Sequence, residues 1–362
     1  MFTVNPNKFI AELARQAQSE KVKKSIIYLI RECATKLKLN DVDISASLNN
    51  LDKIDRLSPE IHHLHHVLQI AMRRQDISAA NITLKKFIQK LIHYSTPDTW
   101  ITVSSISDSE WEVFIKNEAI RLTEKDCGKI AKIEPIVDSE LNIAKDVLNA
   151  AINLIARHDP EMFDEIHEQV RMIKLFNGKI TMGLTDVRML GAMFIRLPHT
   201  QINPVLYFFE HIIHEASHIH LNCLMAIDPL ILNSPEERFM SPLRPDLRPM
   251  IGVFHATFVS TRIVRSLIKL YRSTNNPDLL HPLAESMDEV IRGIPEINQN
   301  AKLTDNGKRL VEDMQNILDA AIFIKEWKDY DFTTSRPHRF GSGVTKVSAF
   351  SRYYRENNLS KL

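Results

Sequence analysis

The chain of 362 residues is 44% apolar and 25% charged, the balance of an ordinary globular protein long enough to bury one large core or two. Its 46 Lys and Arg against 45 Asp and Glu leave a net charge of +1, which argues against a nucleic-acid-binding face built on bulk positive charge. With only 9 glycines, and neither G-x-G-x-x-G nor G-x-x-x-x-G-K-[ST], phosphate-cradling loops are unsupported.

Cys33, Cys127 and Cys223 lie far apart, so neither a disulfide framework nor a cysteine-based zinc site is expected. The first residues, MFTVNPNKFIAELARQ, lack a basic segment followed by an apolar one, so no signal peptide is expected. No apolar run approaches ~18 residues, the length a membrane-spanning helix needs. The expected setting is cytoplasmic, without a membrane partner.

In chain order, residues 5 to 98 read as helices. Apolar positions recur at helical spacing in Ile26, Ile27 and Ile30 and in Leu84, Phe87, Ile88 and Leu91, and Ser58-Pro59-Glu60 reads as a helix start. Near residue 98 the texture changes. Trp100 to Val103 and Trp111 to Ile115 are short, aromatic and β-branched, and read as strands. Helical periodicity returns from Asp138 to Ala156 and after Pro160. Met172 to Phe176 and Leu190 to Ile195 read as two more strands. Helices are predicted from about Pro204 to Met225, over 249–272 and over 304–329. The segment from Arg336 to Leu362 holds six Lys or Arg and one acidic residue. The fold class expected is mainly α with a small β-sheet. Its parts are a helical N-terminal region (1–98), a metal-binding catalytic domain (99–335) and a basic tail (336–362).

The strongest chemical signal is His214-Glu215-Ala216-Ser217-His218, an H-E-x-x-H sequence inside an apolar helical pattern. Residues four apart share a helix face, so two imidazoles there can grip one metal ion with Glu215 beside it. A catalytic site usually takes a third protein ligand. Glu237 is one candidate, although Ser234-Pro235-Glu236-Glu237 also fits a capping box at a helix start. His255 is the other, on an apolar helix after a proline-rich turn. Arg244 and Arg248 precede that helix, and Arg262 lies two turns beyond His255 on the same face. Each offers a fork for a carboxylate, or a partner for an ordinary ion pair. The run Ile61-His62-His63-Leu64-His65-His66 has an i, i+4 histidine pair but no carboxylate or cysteine at ligand spacing, and reads as a polar helix face.

Two chemistries fit a metal held this way. Zinc with Glu215 as general base gives peptide hydrolysis. Iron on three protein ligands leaves positions for a 2-oxo acid and dioxygen, and then an arginine must hold the distal carboxylate of the co-substrate. A third possibility is a peptide-binding scaffold with a structural or vestigial site.

The segments Leu190 to Ile195, His214 to His218, Ser241-Pro242-Leu243-Arg244 and Arg248 to His255, together with Ile155 to Phe176, resemble the HExxH-motif peptide-modification enzymes that accompany biosynthesis of ribosomally made natural-product peptides. The resemblance covers about residues 140–275 and is carried most specifically by H-E-x-x-H followed by R-P-x-x-G-x-x-H. It implies a zincin-like metal helix and an Fe(II)- and 2-oxoglutarate-dependent hydroxylase acting at the β-carbon of residues in a precursor peptide. It also implies His214, His218 and His255 as iron ligands. It leaves the role of Glu215 open, and the 2-oxoglutarate arginine undecided among Arg244, Arg248 and Arg262.

Overall fold

The computed structural model describes residues 2–37, 41–94, 101–198, 203–243, 246–333, 336–337, 344–345 and 347–358. The expected boundary near residue 98 lies outside them. The architecture is mainly helical with a small mixed sheet.

Four helices open the chain: α1 (Lys8–Leu37), α2 (Asp41–Lys53), α3 (Pro59–Arg73) and α4 (Ile77–Ile92). Ser58 caps α3 by accepting from the Ile61 amide, with Pro59 at the first helical position. Asp76 caps α4 through the Ala79 amide. Their inward stripes, among them Ile26, Ile30, Ile61, Leu68, Leu84 and Phe87, form a hydrophobic core of their own. The chain's first residues and the start of α1 belong elsewhere: Val4, ahead of the helix, and Ala14, within it, join the main core.

Strand β1 (Thr102–Ser105) follows, and then a correction. Trp111 to Ile115 form no strand but the start of helix α5 (Glu110–Cys127). Trp111, Ile115 and Ala119 are buried at a four-residue spacing, and Glu110 and Glu112 occupy the first turn, where the helix dipole favours acids. A β-like composition over five residues concealed a period that only a longer window shows. Next come β2 (Lys132–Glu134), α6 (Asp138–His158), α7 (Pro160–Gln169), β3 (Met172–Lys179), β4 (Gly183–Thr185) and β5 (Ala192–Arg196).

The sheet runs β1-β3-β5-β4, with β1, β3 and β5 parallel, β4 antiparallel at the edge, and β2 antiparallel to the far end of β3. Every residue of β5 is buried, as suits an inner strand. Against this sheet lies α8 (Pro204–Ile227), which packs on α9 (Met250–Thr274). Among the described residues α9 alone is long and apolar enough to cross a membrane, and most of that stretch is buried inside the molecule.

Helix α10 (Leu280–Asn300) was not expected from the sequence: Pro282 in its first turn and Pro295 in its interior break the pattern, although Leu283, Met287, Val290, Ile294 and Ile297 are buried on one side. Helix α11 (Asp305–Ala321) ends before the predicted 329, and a 3-10 turn at Lys325–Lys328 seats Trp327 in the core. In the tail, β6 (Arg336–Pro337) pairs with β7 (Val344–Thr345), and α12 (Ser348–Asn358) is docked by Asp288 of α10, which accepts from the Ala349 and Phe350 amides at 2.8 and 2.9 Å.

Candidate metal centre

Asn203 starts α8 by accepting from the Val205 and Leu206 amides, with Pro204 at the first helical position. At 100° per residue, Tyr207, His211, His214, Glu215 and His218 fall on one side of this helix. His214 and His218 are half-buried, with their Nε2 atoms 3.3 Å apart. That is about the spacing of two nitrogens each ~2.1 Å from a shared ion. From α9, half-buried His255 brings its Nδ1 to 3.2 Å from His218 Nδ1. The three imidazoles therefore converge. Burial pulls His218 down to about 4, and burial together with neighbouring His218 pulls His255 to about 3. Both rings are neutral at pH 7 and keep a lone pair for a metal.

Three neutral imidazoles are donors of the right type for a cation, but their present arrangement does not form a three-ligand site. His218 turns Nε2 toward His214 and Nδ1 toward His255, so one ion cannot meet both approaches at once. Among the described residues no group of three or more His, Cys, Asp or Glu side chains is arranged to hold an ion.

Glu215 shares that side of the helix but is more buried than the two histidines. It is 3% exposed and turned toward β4, where a Cβ added at Gly183 would meet its Oε1 at 2.3 Å. Burial raises its carboxyl to about 8 against the hydrogen bond with Thr185. Glu237 lies in a surface network, accepting from Asn233 Nδ2 at 2.8 Å and Lys302 Nζ at 3.2 Å. The expected capping box there is a turn without a helix: Ser234 accepts from the Glu236 amide, and the chain continues extended.

No known family model and no curated protein matches the chain.

The arginines separate by their surroundings. Arg262 is fully buried and braces the far side of α8: its Nε donates to Ser217 Oγ and one terminal nitrogen to the Val4 carbonyl, both at 3.0 Å, while the other pairs with Glu165. His220, with Nδ1 3.1 Å from Gln169 Oε1, completes that network. Arg248 pairs with Asp246 at 2.6 Å, and its backbone bonds in both directions with Phe239, closing the loop that leads into α9. Arg244 lies outside the described residues. His211 stacks on Tyr207 with ring centroids 4.0 Å apart.

The sequence reading missed two further buried polar residues near the start of α8. Arg196 ends the otherwise apolar β5, and Tyr207 lies in the first turn of α8. Both are buried. A charged residue closing a fully buried strand was the signal available, and it was hidden by the reading of 190–195 as apolar sheet alone. On α3, His63 and His66 pack on Phe114, and His65 Nε2 lies 2.8 Å from Ser25 Oγ, so the histidine run serves packing between helices.

Proposed function

We propose that the chain is an Fe(II)- and 2-oxoglutarate-dependent hydroxylase acting on side chains of a ribosomally made precursor peptide. The observation that carries the reading is the approach of His255 on α9 to the His214–His218 pair on α8. Glu237, the alternative third ligand, is held on the surface by Lys302 and Asn233. Bound iron would supply coordination of the 2-oxo acid and reduction of dioxygen, with one oxygen atom going to succinate as carbon dioxide leaves and the other to a substrate C–H bond. The chain's own contribution is to present neutral imidazoles from two helices that packing holds together.

The competing reading, a zinc metallopeptidase with Glu215 as general base, needs that carboxylate on the side where metal-bound water would stand. Glu215 is instead buried beneath Gly183 and Thr185. Incubating the protein anaerobically with Fe(II), then with 2-oxoglutarate, air and a short peptide encoded beside its gene, is expected to release succinate and add 16 mass units (about one oxygen atom) to the peptide. Peptide cleavage by a zinc-loaded protein, without succinate, rejects the proposal.

A further inference from the structure

Three guanidiniums meet where the N-terminal helices rest on the main core. Arg15 of α1 and Arg56, in the turn between α2 and α3, both reach Glu168 of α7, and Arg171 follows α7 on the way into β3. All three line one narrow cleft of about 30 Å³. Their counter-charges do not balance. Glu168 is buried and pairs with Arg15 at 2.6 Å and with Arg56 at 2.8 Å. Asp55 pairs with Arg15 at 3.3 Å, but its side chain is 66% exposed and its charge is largely screened by water. Among the described residues no carboxylate forms an ion pair with Arg171. Its side chain bonds instead to Tyr94, whose hydroxyl donates to the Arg56 carbonyl at 2.9 Å. Burial pulls Arg171 below the usual guanidinium value, Tyr94 opposes this, and Arg56 and Arg15 add to it. Arginine does not shed its proton in proteins, so a crowded guanidinium is relieved by an anion and not by neutralisation.

We propose that this cleft binds one small oxyanion of the phosphate type, held by Arg171 with Arg15 and Arg56 beside it. Three cations against two carboxylates leave one positive charge over, which favours an anion above neutral occupants. One water needs about 10–15 Å³ of such space, so the cleft takes two or three waters, or a single phosphate-sized group in their place. A guanidinium presents paired donors in a plane, which match two oxygens of a phosphate. Arg15 and Arg56 come from the N-terminal helices and Arg171 from the strand side of the main core. A bound anion would therefore tie the two cores together, and its binding free energy would add to the stability of their junction. None of the histidines of α8 and α9 lines the cleft, so the proposal does not depend on the hydroxylase reading. The competing occupant is ordered water, which accepts from the same donors but brings no charge.

The test titrates sodium phosphate into the full, metal-free chain, with ionic strength held constant by sodium chloride, and reads calorimetric heat and the thermal midpoint. One phosphate is expected to bind per chain, with a midpoint that climbs as phosphate replaces chloride. Arg171→Gln is expected to weaken binding by about tenfold or more, the worth of a charge-assisted hydrogen bond. Arg171→Lys keeps the charge but loses the fork, and is expected to weaken it by about three- to tenfold. Glycerol 3-phosphate in a parallel titration separates the two sources of such a group: tighter binding than phosphate names an ester, weaker binding the free ion. The proposal is overturned if phosphate does no more than chloride at equal ionic strength, or if folded Arg171→Gln binds phosphate as the parent does. Should Arg171→Gln not fold, as judged by circular dichroism, Arg171→Lys decides, and affinity equal to the parent's overturns the proposal.

Discussion

Replacing Arg262 with alanine would leave the Glu165 carboxylate, 1% exposed, without its cation and Ser217 without its donor. Removing one member of a buried pair typically costs about 3–5 kcal/mol, so Arg262→Ala should lower the unfolding free energy by that much in urea titrations. A loss under about 1 kcal/mol would contradict the bracing role. His218 and His255 make a different prediction. His218 touches both other rings, so His218→Ala should abolish stoichiometric iron or zinc uptake measured by elemental analysis, and His255→Ala should weaken it severely. Metal retained at the parent's level by His255→Ala would remove that residue from the ligand set. The pair His214 and His218 was legible as a candidate because a spacing of four puts both on one helix face with Glu215 between them, a pattern that the pair His62 and His66 lacks. The arginines were not, because spacing gives a side chain's direction and not its partner: Arg262 shares a helix side with His255, yet Glu165, from a helix almost a hundred residues away, claims its charge.

Helix α8 and the edge strand β4 meet where Gly183 lies over Glu215. A methyl group at position 183 would overlap Glu215 Oε1 at 2.3 Å and its Cδ at 3.1 Å, and the carboxyl has no exposed side to swing toward. Gly183→Ala should therefore cost about 1–3 kcal/mol, read as a lowered thermal midpoint, and Gly183→Ala combined with Glu215→Ala should recover part of the loss. Equal melting of parent and Gly183→Ala would show that the contact yields freely. At this scale the sequence was most informative where caps and stripes agree, as at Ser58 with Ile61, Leu64 and Leu68 on α3. It misled where composition opposed period. Trp111, Val113 and Ile115 have strand-like side chains, but burial recurs every four residues along α5. Pro282 and Pro295 hid α10: Pro282 sits in the first turn, where its missing amide has no helical acceptor, and Pro295 is carried by the strong apolar face around it. Ser234 and Glu237 show the reverse, a good helix-start signature with no apolar stripe behind it to make a helix worth forming.

Across the whole molecule, the N-terminal helical core and the main core are joined by buried charge. Glu168 of α7, 4% exposed, receives Arg15 of α1 at 2.6 Å and Arg56 at 2.8 Å. Arg15 and Arg56 also line a narrow cleft with Arg171, Gln169 and His62 of α3. Burial, reinforced by nearby His65, holds His62 at about 3, and burial holds His65 at about 4. A charged His62 would lose its hydration and face His65 nearby, so the folded state keeps it neutral. Because the folded value lies below the unfolded value near 6.5, the unfolded chain takes up protons first as pH falls. The stabilisation from His62 is thus complete above pH 6.5 and is lost progressively as pH drops from there toward 3. Each such histidine contributes a slope of at most about 1.4 kcal/mol per pH unit within that window. Urea midpoints of the parent should consequently fall steadily between pH 6.5 and 5, before most carboxylates titrate. His62→Gln should flatten that dependence by about one proton's worth while changing stability at pH 8 far less than at pH 5. An unchanged slope in His62→Gln would mean that the folded protein admits the His62 imidazolium, and that burial of this ring does not hold it neutral.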